Sequence, residues 1–187
     1  TMVEAIRDFG QKVTEEPKPL NIEEVVDSFS QLYSPRFKAN SVVFNKTSQL
    51  KEPVFVLGEK PELMQVLVIL ANNAVHAMTG LKEKKVSLSL ELAHHDWVRI
   101  SFSDNGYGIK PENLKIIFKP FVTSKASTEG TGMGLHNALR IVDRHKGKIW
   151  AESGGQGSGA TFFIELPIAK DIKPEDIEDK EKSRRVF

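Results

Sequence analysis

Two glycine-rich runs in this sequence contain the residue types of a nucleotide-binding site. Asp104 begins a turn that includes Gly106 and Gly108, and a second run, 130–135, opens a stretch with helical apolar periodicity. Glycine permits positive φ and lets a ligand approach the main chain, and a helix N-terminus offers unpaired N–H groups to an anion. We therefore predict that a carboxylate reads the base and that backbone amides hold the phosphates.

Neither glycine run matches the best-known phosphate-binding motifs. No Gly-Lys-Ser/Thr follows the glycines, which excludes a P-loop, and neither run has the spacing of the dinucleotide fingerprint after a strand. The phosphates must therefore be held by a different arrangement.

A predicted helix with two faces must position part of this site. Pro61 lies in its first turn, as expected for proline at a helix start, and the helix extends to Met78. Asparagine is a mediocre helix former, so the polar stripe indicates either solvent exposure or a ligand, and an amide oxygen suits Mg²⁺. The apolar face consists of Leu63, Leu67, Leu70, Ala74 and Ala77, and the polar stripe of Gln65, Asn72, Asn73 and His76.

The remaining elements follow from periodicity and turn residues. Residues 1–16 have a polar helical pattern that breaks at the proline-rich connector 16–19. Asn21 is expected to cap a helix that buries Ile22, Val25, Val26, Phe29 and Leu32. Strands are predicted at 41–45, 54–57, 86–92, 97–103, 149–152 and 161–166, a short helix at 110–117, a mobile loop at 119–132, and a helix at 133–145 that Gly147 ends.

The composition excludes several classes of protein and site. Cysteine is absent, so disulfides, thiolate metal sites and thiol nucleophiles are excluded. The formal net charge of +1 gives no electrostatic reason to expect nucleic acid or an anionic membrane. No apolar run approaches the ~20 residues of a membrane helix, and the first residues lack a signal-peptide pattern. We expect one domain of ordinary size that lies in the cytoplasm, whether the parent protein is soluble or membrane-anchored.

Five motifs in order resemble the ATP-binding domain of histidine kinases. This domain is a branch of the superfamily that includes gyrase, the mismatch-repair ATPases and the large heat-shock chaperone. The resemblance covers about 20–168, most of the chain. The motifs are Asn73-Ala74 (N box), Asp104-x-Gly106-x-Gly108 (first glycine box), 118–125 (F box), 130–135 (second glycine box), and 157–162 with Leu166-Pro167 (the close of the domain).

The resemblance implies both a fold and a function. The implied fold class is α+β, a two-layer α/β sandwich of the Bergerat type, with a mixed sheet, three helices on one face and a mobile ATP lid. The implied activity is that of a protein-histidine kinase, which transfers the γ-phosphate of ATP to a histidine for relay to a response regulator. The implied cofactors are ATP and Mg²⁺.

The resemblance also assigns roles to residues. Asp104 would accept a hydrogen bond from the adenine amino group, Asn73 would bind Mg²⁺, and His76 would reach a phosphate. Lys125, with Lys119 as a further candidate, would contact phosphates from the lid. The full nucleotide-binding set is Asn73, His76, Asp104, Gly106, Gly108, Ile109, Phe121, Thr123, Lys125, Gly130, Thr131, Gly132, Met133, Gly134, Leu135 and Thr161; no catalytic residue is assigned in this chain.

Ile69 departs from the superfamily pattern. Four residues before the N-box asparagine, hydrolytic members have a glutamate that activates water, and many histidine kinases have asparagine. An isoleucine neither takes a proton nor binds a cation, so hydrolysis by that route is excluded and the metal depends more on Asn73. A phosphotransferase tolerates this, because its catalysis is mostly positioning and charge stabilisation.

Three functions therefore stand at this stage. The first is the catalytic domain of a sensor histidine kinase. The second is a hydrolytic clamp ATPase, against which Ile69, the short chain and the F box argue. The third is a degenerate module that binds nucleotide and signals by contact alone, which Ile69 keeps open.

The resemblance also suggests what lies around the domain. None of the five histidines has the pattern of a phosphoacceptor helix, so we expect that histidine on a separate dimerisation domain. Residues 1–19 are interpreted as the end of the dimerisation helix and a connector, and 169–187 as a charged linker or tail. The expected partners are that domain, within a homodimeric parent, and a response-regulator receiver domain; nucleic acid is not expected. The ending Val186-Phe187 resembles the opening of the first strand of a receiver domain, which would place the receiver in the same chain. The alternative is that this ending has no meaning and that the receiver is a separate protein.

Overall fold

The structure is a computed structural model that describes residues 18–94, 96–122 and 132–170. Its seven strands are β1 (Lys18–Asn21), β2 (Val42–Ser48), β3 (Phe55–Gly58), β4 (Lys84–Leu92), β5 (Trp97–Asp104), β6 (Lys148–Glu152) and β7 (Ala160–Pro167). Its four helices are α1 (Ile22–Ala39), α2 (Lys60–Ala77), α3 (Pro111–Leu114) and α4 (Gly134–Arg144). The predicted termini 1–16 and 171–187, and the lid residues 123–131, lie outside the described residues.

The main sheet has five strands in the order β2-β4-β5-β7-β6. β2 and β4 run parallel, and the other three pairs are antiparallel. A separate two-stranded sheet pairs β1 with β3. The predicted mixed sheet is therefore confirmed, and the predicted hairpin corresponds to β4 and β5.

The two faces of the sheet have different compositions because side chains alternate along each strand. On β5, Val98, Ile100 and Phe102 are buried, while Ser101 and Ser103 point to the opposite side. The three long helices α1, α2 and α4 contribute to the same hydrophobic cluster as the buried face. The molecule is therefore the expected two-layer sandwich, with one helical face and one outer face.

Helix α1 begins where the sequence predicted. The Asn21 side chain accepts a hydrogen bond from the backbone N–H of Glu23 at 3.1 Å, which is an N-cap. The prediction was wrong for Leu32, whose surface is 63% exposed, whereas Tyr33 is 5% exposed. At about 100° per residue, Tyr33 lies on the same face of α1 as Val26 and Phe29. Leu32 lies beside that face.

The proline-rich connector of the prediction is partly a strand. Pro19 lies opposite Leu57 and Lys18 opposite Gly58 in the antiparallel pair of β1 and β3. Proline is tolerated in an edge strand. Local sequence pointed to a connector because it does not contain the partner strand, which comes more than thirty residues later.

Helix α4 ends with a left-handed residue that is not glycine. Lys146 has φ 56°, its N–H binds the Asp143 carbonyl at 2.9 Å, and the Gly147 N–H binds the Val142 carbonyl at 2.9 Å. These two bonds form the Schellman motif. Its left-handed position is Lys146, one residue before the glycine that was predicted to end the helix. Gly147 is required for space instead, because a Cβ there would lie 2.6 Å from the Glu165 carbonyl oxygen. The predicted helix 110–117 is likewise shorter, since α3 ends at Leu114.

Candidate nucleotide-binding site

Asp104 is the last residue of β5, at the edge of the helical layer. Its Oδ1 accepts a hydrogen bond from the Gly106 N–H at 2.8 Å. Burial raises the pKa of the Asp104 carboxyl above its ordinary value, and hydrogen bonds from the backbones of Gly106 and Ala160 oppose this shift. A partly desolvated carboxylate held in this way is a directional acceptor for a ligand N–H.

The first glycine box packs tightly on the end of α2. The Tyr107 N–H donates to the Ala77 carbonyl at 3.0 Å, and a Cβ on Gly106 would lie 2.6 Å from the Cβ of Ala77. The rings of His76 and Tyr107 meet edge to face, with centroids 6.5 Å apart. The turn that carries Asp104 is therefore held beside His76.

The β6–β7 turn holds the other side of the same glycine box. The N–H groups of Gly157 and Gly159 donate to the carbonyls of Tyr107 at 2.7 Å and Gly106 at 3.0 Å. Gly108 has φ +77°, and a Cβ there would lie 2.1 Å from the Gly155 carbonyl oxygen. Only glycine fits this close approach between two loops.

The two adjacent asparagines of α2 have different explanations. Asn72 accepts a hydrogen bond from the Tyr33 hydroxyl at 2.7 Å, so it connects α2 to α1. Asn73 is partly buried, and its side chain has no hydrogen bond to any described residue. His76, also partly buried, follows one turn later. The structure thus brings Asn73 and His76 to one side of α2 and gives Asn72 a structural role.

Ile69 lies one turn before Asn73, against the start of α4. A Cβ built on Gly134 would be 3.4 Å from Cγ2 of Ile69. The described residues contain no group of three His, Asp or Glu side chains that could hold a metal. A metal here would have one amide ligand, Asn73, which suits Mg²⁺ bound mainly by phosphates and water.

The two ends of the lid segment meet. The Phe121 N–H donates to the Gly132 carbonyl at 3.0 Å, and a Cβ on Gly132, at φ +66°, would lie 2.6 Å from the carbonyl carbon of Phe121. Phe121 also has a positive φ of 65°, and 77% of its surface is exposed. Of the predicted lid contacts, Thr123, Lys125, Gly130 and Thr131 lie outside the described residues.

Helix α4 begins directly after this junction. Met133 is its N-cap residue, and no side chain of the described residues caps its first turn. Gly134 is its first residue, and Leu135 packs against the core. Among the described residues, no side chain therefore competes with an anion for the amides of this first turn, and the predicted phosphate contact there stays a prediction.

Thr161, a predicted site residue, lies on β7 next to Ser103. It pairs with Ser103 across β5 and β7, and their hydroxyl oxygens are 2.8 Å apart. Side-chain alternation places Thr161 on the outer face and Asp104 on the helical face. Both residues border a cavity of about 390 Å³ beside the β6–β7 turn, but the Thr161 hydroxyl does not point toward Asp104.

Sequence reasoning missed Ser153. Its hydroxyl accepts the Ile109 N–H at 3.0 Å and donates to the Gly159 carbonyl at 2.6 Å. The available signal was a serine directly before a glycine-rich turn, a position where hydroxyls commonly bond to the local backbone.

With this geometry in place, comparison with known proteins identifies the family. The sequence profile described as "Histidine kinase-, DNA gyrase B-, and HSP90-like ATPase" matches residues 58–170, more than half of the chain. The chain belongs to this ATPase family. Within the family, the resemblance to the ATP-binding catalytic domain of histidine kinases is confirmed.

Relatives and solved structures agree with this assignment. The chain is 30% identical over 171 residues to sensor histidine kinase TmoS of Ectopseudomonas mendocina. This match covers 90% of this chain and 17% of TmoS. The catalytic domain of histidine kinase ThkA is 28% identical, with a TM-score of 0.70 over 82% of this chain and 98% of that domain. Full-length ShkA in complex with AMPPNP is 26% identical, with a TM-score of 0.72 over 92% of this chain and 35% of ShkA.

These matches confirm the fold class and the ATP-binding domain of histidine-kinase type. The chain spans less than a fifth of the length of TmoS. Among the described residues, no helix is both long and apolar enough to cross a membrane.

Proposed function

We propose that this chain is the catalytic domain of a sensor histidine kinase. It binds Mg-ATP and presents the γ-phosphate to a histidine on a dimerisation domain outside this chain, from which the phosphate passes to a response regulator. The observation that carries the proposal is the partly buried Asp104 carboxylate, whose turn is held between the end of α2 and the β6–β7 turn.

The adenine end of the site is built around Asp104. An acceptor carboxylate selects the exocyclic amino group of adenine over the carbonyl that guanine has at that position. Gly106, Gly108 and Ile109 form the wall of backbone beside it, and their contacts with α2 and the β6–β7 turn leave this wall little freedom to move. A preformed acceptor limits the ordering that binding would otherwise require.

The phosphate end lies between α2 and the start of α4. Asn73 would hold the Mg²⁺ ion, and His76 would donate to a phosphate. When bound, Mg²⁺ neutralises charge on the phosphates. The proposed backbone and lid contacts are Gly132, Met133, Gly134 and Leu135 at the start of α4, with Phe121, Thr123, Lys125, Gly130 and Thr131 from the lid. Thr161 of the predicted set lies instead near Asp104, on the outer face of the sheet.

Ile69 favours transfer over hydrolysis. The residue one turn before Asn73 is apolar and packs near Gly134, so it does not activate water. A phosphotransferase needs no base at this position, because its nucleophile comes from another domain. Ile69 also favours a second candidate, a nucleotide-binding module without transfer activity, because an isoleucine provides no metal ligand at this position.

The arrangement of the parent protein belongs to the same proposal. The proposed ATP-binding domain is 20–168, and residues 1–19 and 169–187 are not part of it. The parent is a homodimer with its catalytic domain in the cytoplasm.

Calorimetry with ATP tests the binding step. Asp104→Ala should abolish ATP binding with the fold intact, while Asp96→Ala should bind as the wild type does, because Asp96 pairs with Lys170 at the other end of β5. Equal affinity in Asp104→Ala and wild type would refute the proposal.

Labelled ATP tests the transfer step. After the dimerisation domain of the parent is supplied, label should move to its histidine. Binding without transfer would support the signalling module, and release of free phosphate by the isolated chain would support a hydrolase.

A further inference from the structure

We propose that Ser153 is a positioning residue of the adenine end, whose hydroxyl holds the Asp104–Ile109 turn in its binding geometry. This inference rests on the proposed function and extends it to a residue on a different strand end. Ser153 follows β6 directly and borders the same cavity as Asp104.

The Ser153 hydroxyl uses its full hydrogen-bonding capacity. Oγ accepts the N–H of Ile109 at 3.0 Å and the N–H of Gly155 at 3.2 Å, and it donates to the Gly159 carbonyl at 2.6 Å. A hydroxyl has one donor and two acceptor sites. One side chain therefore satisfies three backbone groups from two different loops.

These contacts reach Asp104 through backbone. The Gly159 N–H donates to the Gly106 carbonyl at 3.0 Å, and the Gly106 N–H donates to Asp104 Oδ1 at 2.8 Å. A Cβ on Gly159 would lie 2.0 Å from the Asp104 carbonyl oxygen, so the two backbones are already in contact. A shift of Gly159 would therefore move the start of the turn.

The contact with Ile109 controls the other end of the turn. Ile109 follows Gly108 and packs against the hydrophobic core through its side chain, while its N–H faces Ser153. Ser153 is thus connected to both ends of the segment that begins with Asp104. Glycines make up much of the β6–β7 turn and have no side chains to pack, so hydrogen bonds are what set its position.

Ser158 provides a matched control. It lies in the same turn and is exposed, and its hydroxyl makes no hydrogen bond to the described part of the chain. Ser153→Ala and Ser158→Ala therefore remove the same atom from one loop and differ in the contacts that are lost.

The test uses the whole 187-residue chain. By calorimetry, Ser153→Ala should bind ATP roughly tenfold more weakly, as expected when about 1.4 kcal/mol is lost, and Ser158→Ala should bind as the wild type does. In the nucleotide-free protein, amide exchange measured by NMR should accelerate at Ile109 and Gly155, with Phe102 and Ile164 in the central strands unchanged. A merely structural role would accelerate all four amides together.

A second variant guards against a folding defect. Ser153→Cys keeps the branching of the side chain and leaves no cavity, although sulfur is larger than oxygen, and it replaces a strong hydrogen-bonding group with a weak one. It should therefore change affinity and exchange in the same direction. Wild-type affinity together with unchanged exchange at Ile109 and Gly155 overturns the inference. Unfolding of both variants also overturns it, because Ser153 then serves folding.

The exchange measurement separates this inference from the proposed function. If the wild-type chain does not bind ATP, the proposed function fails. The selective exchange at Ile109 and Gly155 still reports whether Ser153 holds the turn.

Discussion

The imidazole of His145 fills the space beside Gly58. A Cβ on Gly58 would lie 2.2 Å from Cδ2 and 2.4 Å from Nε2 of that ring. Nε2 accepts the Glu59 N–H at 3.1 Å, and Nδ1 lies 2.8 Å from the Ile141 carbonyl oxygen. These partners require the proton on Nδ1, and they attach the end of α4 to the start of α2, the helix that carries Asn73.

Gly58→Ala should therefore lower the free energy of unfolding by about 1–3 kcal/mol, the usual cost of overpacking. Urea denaturation measures this cost. In a His145→Ala background the same substitution should cost much less, because the ring is gone. An equal cost in both backgrounds would show that the ring is not the obstacle.

Asp104 should make the nucleotide-free protein less stable at neutral pH than a neutral residue would. Burial raises the pKa of the Asp104 carboxyl in the folded protein. Protonated Asp104 is therefore compatible with the fold below its unfolded-state pKa, and this stabilisation relative to the charged form is lost as pH rises through its folded-state pKa. Asp104→Asn keeps an acceptor for Gly106 and removes the charge. Its thermal midpoint should exceed that of the wild type at pH 7, and the difference should shrink as pH falls from the raised folded pKa of Asp104 toward its ordinary value of 3.8, and be lost below that value. A wild type that is more stable at every pH contradicts this expectation.

Ile69→Asn should strengthen the effect of Mg²⁺ on ATP binding. The new amide adds a second oxygen one turn from Asn73, and a gain of roughly tenfold in the Mg²⁺-dependent part of the affinity corresponds to about 1.4 kcal/mol. Calorimetry with and without Mg²⁺ measures it, with Ile69→Val as the apolar control. The same Mg²⁺ effect in all three proteins would show that position 69 does not reach the metal.

His76→Ala should weaken ATP without weakening adenosine. A lost phosphate hydrogen bond of about 1 kcal/mol reduces ATP affinity roughly fivefold, while the adenine contacts stay. Gln65→Ala, at the exposed start of the same stripe, is the control. Equal losses for both ligands would place His76 at the adenine end instead.

Arg99→Met should reduce stability and leave ATP affinity unchanged. Arg99 donates through Nε and one Nη to Glu165 Oε1, at 3.0 and 2.6 Å, on the outer face of the sheet. Glu165 is only 3% exposed, so the substitution leaves a buried carboxylate without this partner, at a cost of about 1–3 kcal/mol. Lys148→Met on the same face is the control, and denaturation with calorimetry provides both readings. A large loss of ATP affinity would mean that the outer face communicates with the site.

Residue types and their local spacing determined the helices, the turns and the motifs that could be predicted from the sequence. The Asp104 turn, the apolar face of α2, the Asn21 cap and the order of the motifs were all visible in sequence, because each depends on neighbours within a few positions. Ile69 was equally visible as a departure from the family pattern. These features were sufficient to predict the fold class and the type of ligand.

Tertiary structure alone decided the partners of the polar side chains. Asn72 and Asn73 are adjacent and chemically identical, and their environments differ because the hydroxyl of Tyr33, 39 residues from Asn72, bonds to Asn72. Ser153 meets Ile109 across 44 residues, and strand pairing turns Thr161 toward Ser103. Helical and strand periods specify on which side of an element a residue lies. The residue that it contacts on that side is far away in the sequence, so the contact is determined only when the helices pack on the sheet.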